Sequence, residues 1–469
     1  MYRCFVHLFK TYRSKGAINI VKQTGDFEHG KVGKLILSQA ISLTLAQFVQ
    51  VIYNIVDRMY LGHMPGEEIG VALIGVGLAF PVITIIAAFT NLFAMGGTPL
   101  CSMARGKHDE ERAKKIEANV FSLQICIGII LAVSVFLTMK PVLYLLGASD
   151  VTYSYARQYL SIYLLGTVFF TIGSGMNGFI NLQGFPAIGM CTTVIGAVIN
   201  LILDPVFIFG LHMGVKGAAL ATVISQSFSC IWVLAFLFGR KTVIKLRPVD
   251  LFKFDFKLIK RITSLGMAGF IMAASNSMVQ AVCNKTLSVY GGDIYIGVMT
   301  IINSVREING LPINGITGGA QPVLSYNYGA KKYKRVKQGI RFTATVGFLY
   351  TVVMWALVMI FPMFFLKLFS SDQSLIMTGH KPILIYFAAF FMMSFQFAGQ
   401  STFVALGKSK QSIFFSLLRK VIIVVPLTIL LPMIPAIGVN GVFLAEPISN
   451  VLGGLASFLT MYFTVYRKM

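Results

Sequence analysis

Twelve apolar runs of twenty or more residues recur along this chain and leave it few ways to fold. Each is long enough to cross a bilayer core of about 30 Å as a helix. The runs predict helices over 34–61, 70–98, 117–139, 155–181, 185–211, 215–238, 260–289, 294–325, 339–366, 380–405, 411–434 and 439–466. No ten-residue stretches of alternating apolar and polar residues occur, which argues against a membrane β-barrel. Backbone groups in lipid must find partners within the chain, and helices provide them. Only 12% of the residues are charged, against about 25% in ordinary soluble proteins. The expected fold class is therefore an all-α integral membrane protein.

The net charge of +23 invites a nucleic-acid reading, but its distribution argues for a membrane. With the N-terminus placed inside, thirty-two Lys and Arg fall on that side and six on the other. Arg58 and Arg306 lie within predicted helices. Such an imbalance places basic loops and both termini in the cytoplasm, for a multi-pass protein of the inner or plasma membrane. The basic charge then faces anionic lipid heads, and nucleic acid is not an expected partner. Residues 1–32 are basic and amphipathic and lack the apolar core of a cleaved signal peptide. They are expected to form a cytoplasmic arm on the membrane surface.

The chain is also a duplication. GGTPLCSMARGKHDEERAKK (96–115) resembles GAQPVLSYNYGAKKYKRVKQ (319–338), with Pro99 on Pro322, Gly106 on Gly329 and Arg112 on Arg335, each 223 residues apart. Gly184 matches Gly407 at the same offset. GVKGAALATVISQ (214–226) matches GVNGVFLAEPISN (438–450) at 224. Six helices per unit is an even number, so both halves insert in the same orientation, as parallel repeats. The expected organisation is an N-terminal lobe over 33–238, a basic linker over 239–259 and a C-terminal lobe over 260–469, around a central cavity.

Four acidic residues lie well inside the predicted helices: Asp57, Asp204, Glu307 and Glu446. Ionisable groups at such positions are costly, so each is a functional candidate. At 1.5 Å per residue, Asp57, Asp204 and Thr222 lie about 6, 10 and 12 Å from the outer ends of their helices. The three depths agree within boundary error, so they are expected to converge in the first half. Asn200 lies one turn from Asp204, and Tyr53 and Asn54 lie one turn before Asp57. Two buried carboxylates resist being ionised together, which suits uptake and release of a proton. The same oxygens, with those of Asn200 and Thr222, suit a small hard cation such as Na+. The bland alternatives are an Asp57–Arg58 pair at the lipid heads and a kink cap at Asp204 before Pro205. The second half differs: Glu446 stands where Thr222 would align, and Gln280 near the position of Asp57, in the stripe Asn276, Gln280 and Asn284. Glu307 is adjacent to Arg306, which suggests a local ion pair. Tyr53, Asn54, Gln280, Asn284, Glu307 and Glu446 are candidates for cavity or substrate contact, alongside the cation set Asp57, Asn200, Asp204 and Thr222.

Much of the remaining sequence reads as packing. GSGMNG (173–178) fits a dinucleotide pattern but has no strand before it. The six cysteines and six histidines show no metal-ligand spacing. No catalytic or ATP-binding motif appears, so no cofactor beyond a coupling H+ or Na+ is expected and the chain is not read as an enzyme. Most of the 39 Phe and 22 Met face lipid or pack, and a minority could line an adaptable apolar cavity.

QVIYNIVDRMYLG (50–62), NLILDPVFIFG (200–210) and GVKGAALATVISQ, in this order, resemble the MATE family, the multidrug and toxic compound extrusion transporters. The resemblance runs from about residue 33 onward. It implies that Asp57, Asn200, Asp204 and Thr222 form the cation site of the branch that couples through its first helix. Helix 7 carries Asn and Gln where the other branch has an aspartate. Many relatives have a proline early in helix 1; residues 33–60 contain none, so a mechanism resting on that proline has no residue to act on here. The reading is a secondary multidrug exporter, acting as a monomer, that exchanges amphipathic or cationic compounds for H+ or Na+ by alternating access. A lipid-linked glycan flippase of the same two-lobe plan is the alternative.

Overall fold

The computed structural model describes residues 26–62, 69–370 and 372–469. The expected surface arm over 1–25 lies outside the described residues. Twelve helical spans follow in order: α1 Val32–Gly62, α2 Ile69–Gly106, α3 Glu110–Leu145, α4 Asp150–Leu165 with Thr167–Leu182, α5 Pro186–Pro205 and α6 Gly214–Leu237. The second half continues with α7 Phe256–Tyr290, α8 Gly292–Gly329, α9 Tyr333–Ile360, α10 Gln373–Phe387 with Met393–Ala405, α11 from Ser409 through Leu430 and α12 Asn440–Met461. Among the described residues, nine are individually long and apolar enough to cross a membrane, and the two bent pairs bring this to eleven. The remaining span, α8, is the polar one, with Asn303, Arg306, Glu307, Asn309 and Asn314 along its 38 residues.

Several ends differ from expectation. Helix α2 runs on to Gly106 and α3 starts at Glu110, past the predicted limits of 98 and 117. Apolarity marks only the part of a helix that lies in lipid. The extra turn of α3 is held by Asp109, whose side chain accepts from the Arg112 backbone N–H at 3.1 Å. Helix α7 likewise starts at Phe256, inside the expected linker, behind an Asp255 cap. Helix α4 bends by 58° at Gly166 and α10 by 40° near residue 390. The α10 break contains no Gly or Pro. Its carbonyls are taken up by α9, where Trp355 donates to Ala388 O at 3.1 Å and Thr351 to Phe391 O at 3.2 Å, as a break inside lipid requires.

Backbone geometry repeats with the sequence. Positive φ recurs at His108 (58°) and Lys331 (57°), and at Gly214 (56°) and Gly438 (54°). A positive φ outside glycine is uncommon, so its recurrence 223 residues apart marks a shared turn between α2–α3 and α8–α9.

The core lies in four clusters. At the end away from the basic loops, each half packs alone: Leu61, Leu143, Tyr159 and Ala218 in the first, Leu287, Val298, Leu366 and Phe443 in the second. At the basic-loop end the halves exchange helices. Leu258, Ile262 and Leu265 of α7 enter the first half's cluster. Val32, Leu35 and Ile36 of α1 enter the second half's. Gly106 meets the Tyr326 carbonyl so closely that a Cβ would collide with it, and Gly329 meets Met103 in the same way. Ser102 adds a bond to Pro322 O at 2.8 Å. The bundle is interlocked at the basic-loop end.

The segment before α1 helps close that end. Phe27 is buried against Tyr326, and Arg335 donates to the carbonyls of Phe27 and Gly30. Glu28 accepts from Lys332 Nζ at 2.8 Å and Tyr326 Oη at 3.3 Å, and lies 3.9 Å from His108 Nε2 of the first half. The Lys332 hydrogen bond holds the Glu28 carboxyl below its ordinary value of 4.5. A depressed carboxylate contributes stability that is complete above the unfolded value and lost as pH falls through the folded one. Lowering pH from about 7 to about 5 should therefore leave this end unchanged, whereas Glu28→Gln should speed amide exchange over residues 326–332 at both pH values. Equal exchange in the variant and the wild type would remove Glu28 from the closure.

Candidate functional site

Helical spacing sets up the site. Tyr53 and Asp57 sit one turn apart on α1, Asn200 and Asp204 on α5, and Tyr159 and Tyr163 on α4. Pro205 has no N–H to give, and the chain passes into a wider π-helical turn over Val206–Gly210. Asp204 thus stands at a kink and is also the fully buried centre of a cluster.

The carboxyl groups of Asp57 and Asp204 lie side by side. Asn200 Nδ2 donates to Asp204 Oδ1 at 3.2 Å. The Tyr53 and Tyr159 hydroxyls lie against Thr222, whose own hydroxyl donates to Ala218 O at 3.0 Å. Tyr163 lies beside Gln226 and stacks on Tyr159. Among the described residues, three buried acceptors of this cluster have no hydrogen-bond partner: Asp204 Oδ2, Asn200 Oδ1 and Gln226 Oε1. Among the described residues no Lys or Arg forms an ion pair with Asp204. Adjacent negative charges away from water call for a positive partner. Carboxylate, amide and hydroxyl oxygens would serve either a proton or a small hard cation.

All four residues of the expected cation set, with Tyr53, lie in this cluster. Asn54 does not join it: it is exposed and accepts from Gln50 Nε2 at 3.3 Å. Asp57 is buried, and the Arg58 side chain lies outside the described residues. Tyr159, Tyr163 and Gln226 were not foreseen. A tyrosine pair at i, i+4 within an apolar run was the available signal.

The second half holds a different arrangement. Asn303 donates to Gln280 at 2.9 Å, and Gln280 to Asn284 at 2.9 Å. Glu446 Oε1 accepts from Arg419 Nη2 at 3.1 Å and lies 3.4 Å from Lys420 Nζ. The expected pair between Glu307 and Arg306 is absent among the described residues, and Glu307 is exposed. The two side chains point apart along α8, where adjacent residues do not face each other.

Two expectations about charge need correction. Arg419 and Lys420 belong with the cytoplasmic loop charges by counting, yet both are buried in α11, about ten residues from its start. The predicted span 411–434 already contains them, and Glu446 of α12 makes their burial tolerable. Glu117 is a buried acid outside the four candidates, fully enclosed in the early turns of α3 with neither oxygen hydrogen-bonded among the described residues. The predicted start of that helix falls on this residue, which made it look like a boundary charge.

The MatE family model matches the chain twice, over residues 43–206 and 269–430, once in each half. The multidrug export protein MepA of Staphylococcus haemolyticus (strain JCSC1435) is 25% identical over 437 residues, covering 93% of this chain and 94% of that protein. MepA of Staphylococcus aureus (strain N315) is 24% identical, with 93% and 95% covered. Among solved structures, a MATE protein in the bent conformation superposes with a TM-score of 0.89 at 22% identity, over 95% of this chain and 98% of that one. An outward-facing multidrug resistance MATE transporter of the MOP superfamily gives 0.88 at 21%, over 96% and 99%. The likeness of fold extends through all twelve spans in two lobes. With both halves matched by the family model, the chain belongs to the MatE family of membrane transporters and is not an enzyme.

Proposed function

We propose that this chain exports drugs, as the MepA multidrug export proteins are named for doing, and that it takes amphipathic, often cationic organic compounds in exchange for H+ or Na+. The paired carboxylates of Asp57 and Asp204, with unpartnered acceptor oxygens around them, carry this reading. The lobes are taken as 33–238 and 260–469, with 239–259 as linker and both termini cytoplasmic, because the basic loops gather at one end.

On that orientation the interlocked end faces the cytoplasm, and the halves part toward the outside. In this state the cluster takes a cation from outside, which favours release of bound drug. Rocking of the lobes then exposes both sites inward. The cation leaves, the carboxylates regain their charge, and a new organic cation is captured. Alternating access of this kind requires no ATP site.

The reading is tested by loading cells that express the chain with a fluorescent lipophilic cation and following its loss. Rapid efflux that stops when ionophores collapse both the proton and sodium gradients is expected. Efflux that continues without either gradient would refute the exchange.

A further inference from the structure

The duplication gives the second half its own copy of the carboxylate pocket, with inverted charge. Positions 53, 57, 163 and 222 correspond at offsets of 223 or 224 to Asn276, Gln280, Tyr386 and Glu446. These four line one cavity of about 20 Å³ between α7, α8, α10, α11 and α12, together with Arg306 and Lys420. Gln280 replaces the acid of α1, and the second-half partner of Asp204 is Thr428.

The hydrogen bonds leave this cavity short of negative charge. Glu446 is its one carboxylate, and it is engaged by Arg419 and by Lys420. The other arm of Arg419 bonds Asn450. Arg306 forms no hydrogen bond or ion pair among the described residues, and its buried Nε has no partner. Glu307, next in the chain, is exposed and does not pair with it. Three permanently or normally cationic groups thus share one acid inside a membrane bundle. Such groups are held by counter-charge rather than left bare. The cavity has room for one water-sized occupant, and its lining residue Asn276 is exposed.

We propose that this cavity is an anion site, taking a single halide-sized monovalent anion such as chloride between Arg306 and Lys420. A space for one water-sized occupant suits a monatomic anion. The arginine guanidinium and the Asn276 amide supply donors, and the Glu446 carboxylate, turned toward Arg419 and Lys420, holds the remaining charge. The site is separate from the first-half cluster and does not depend on which cation that cluster takes.

The test uses the full chain purified in detergent, with sodium and ionic strength held constant while gluconate is exchanged for chloride or bromide. Constant sodium keeps the first-half site from contributing. The wild type should gain roughly 3 °C in thermal midpoint at saturating halide. Arg306→Gln should lose that gain and Arg306→Lys retain part of it. Crystals of the wild type soaked in bromide should show an anomalous peak between Arg306 and Lys420, a readout that needs no variant to fold. A thermal midpoint indifferent to halide, or soaked crystals with no bromide in the cavity, would overturn the assignment.

Discussion

Asp204→Asn is expected to lower export of a lipophilic cation by about 100-fold, near the upper range of coupling energies between sites, while the protein stays folded. Asparagine keeps the volume of the side chain and an oxygen for the Asn200 bond. It removes one of two carboxyl groups that lie side by side in a buried pocket. Relief of that repulsion should leave the thermal midpoint at or above the wild-type value. Loss of transport with no loss of stability separates a coupling role from a kink-capping one, since a lost cap typically costs about 1 kcal/mol. Asp57→Asn should behave alike, and the double variant should transport no worse than either single one, because the pair acts as a unit. Efflux rates and thermal unfolding on the same preparations check this. Wild-type efflux in either variant would remove the carboxylates from the mechanism.

The second large effect is conformational. Gly329→Leu should force open the end of the bundle that carries the basic loops. A side chain there has no space, because the Met103 backbone occupies the position of its Cβ, and Gly106 faces Tyr326 in the same way. Overpacking of this kind costs about 1–3 kcal/mol. A cost near 3 kcal/mol shifts a two-state balance by roughly 150-fold, enough to reverse a modest preference for the closed end. Both glycines serve one crossing of α2 and α8, so adding Gly106→Leu should produce less than an additive effect. Distances between spin labels placed on the α2–α3 and α8–α9 turns should lengthen in Gly329→Leu. Unchanged distances together with unchanged transport would show that this crossing does not hold the closed state.

Twelve spans and their duplication were legible because lipid imposes length and apolarity on each helix, and because landmarks such as Pro99 and Pro322 keep a fixed spacing. The helix ends were less legible. Glu110, Glu111 and Arg112 carry the start of α3 into water, where apolarity no longer reports on structure. The convergence of Asp57, Asn200, Asp204 and Thr222 followed from depth along three helices. Tyr159 and Tyr163 did not, since depth says nothing about which helix faces which. The largest error concerned Arg419 and Lys420, where counting every base as a loop charge hid two that Glu446 holds inside the bundle. A partner 26 or 27 residues away in sequence is visible only once α11 and α12 are packed.

The claim that drug leaves in exchange for a cation is tested most directly in vesicles of the purified chain, with proton and sodium gradients imposed separately. Wild type should accumulate or expel a lipophilic cation only when at least one gradient is present. Adding that cation to one side should drive H+ or Na+ to move in the opposite direction. Asp204→Asn should show neither flux. Movement of the drug in wild-type vesicles with no gradient and no counter-movement of either ion would contradict the account.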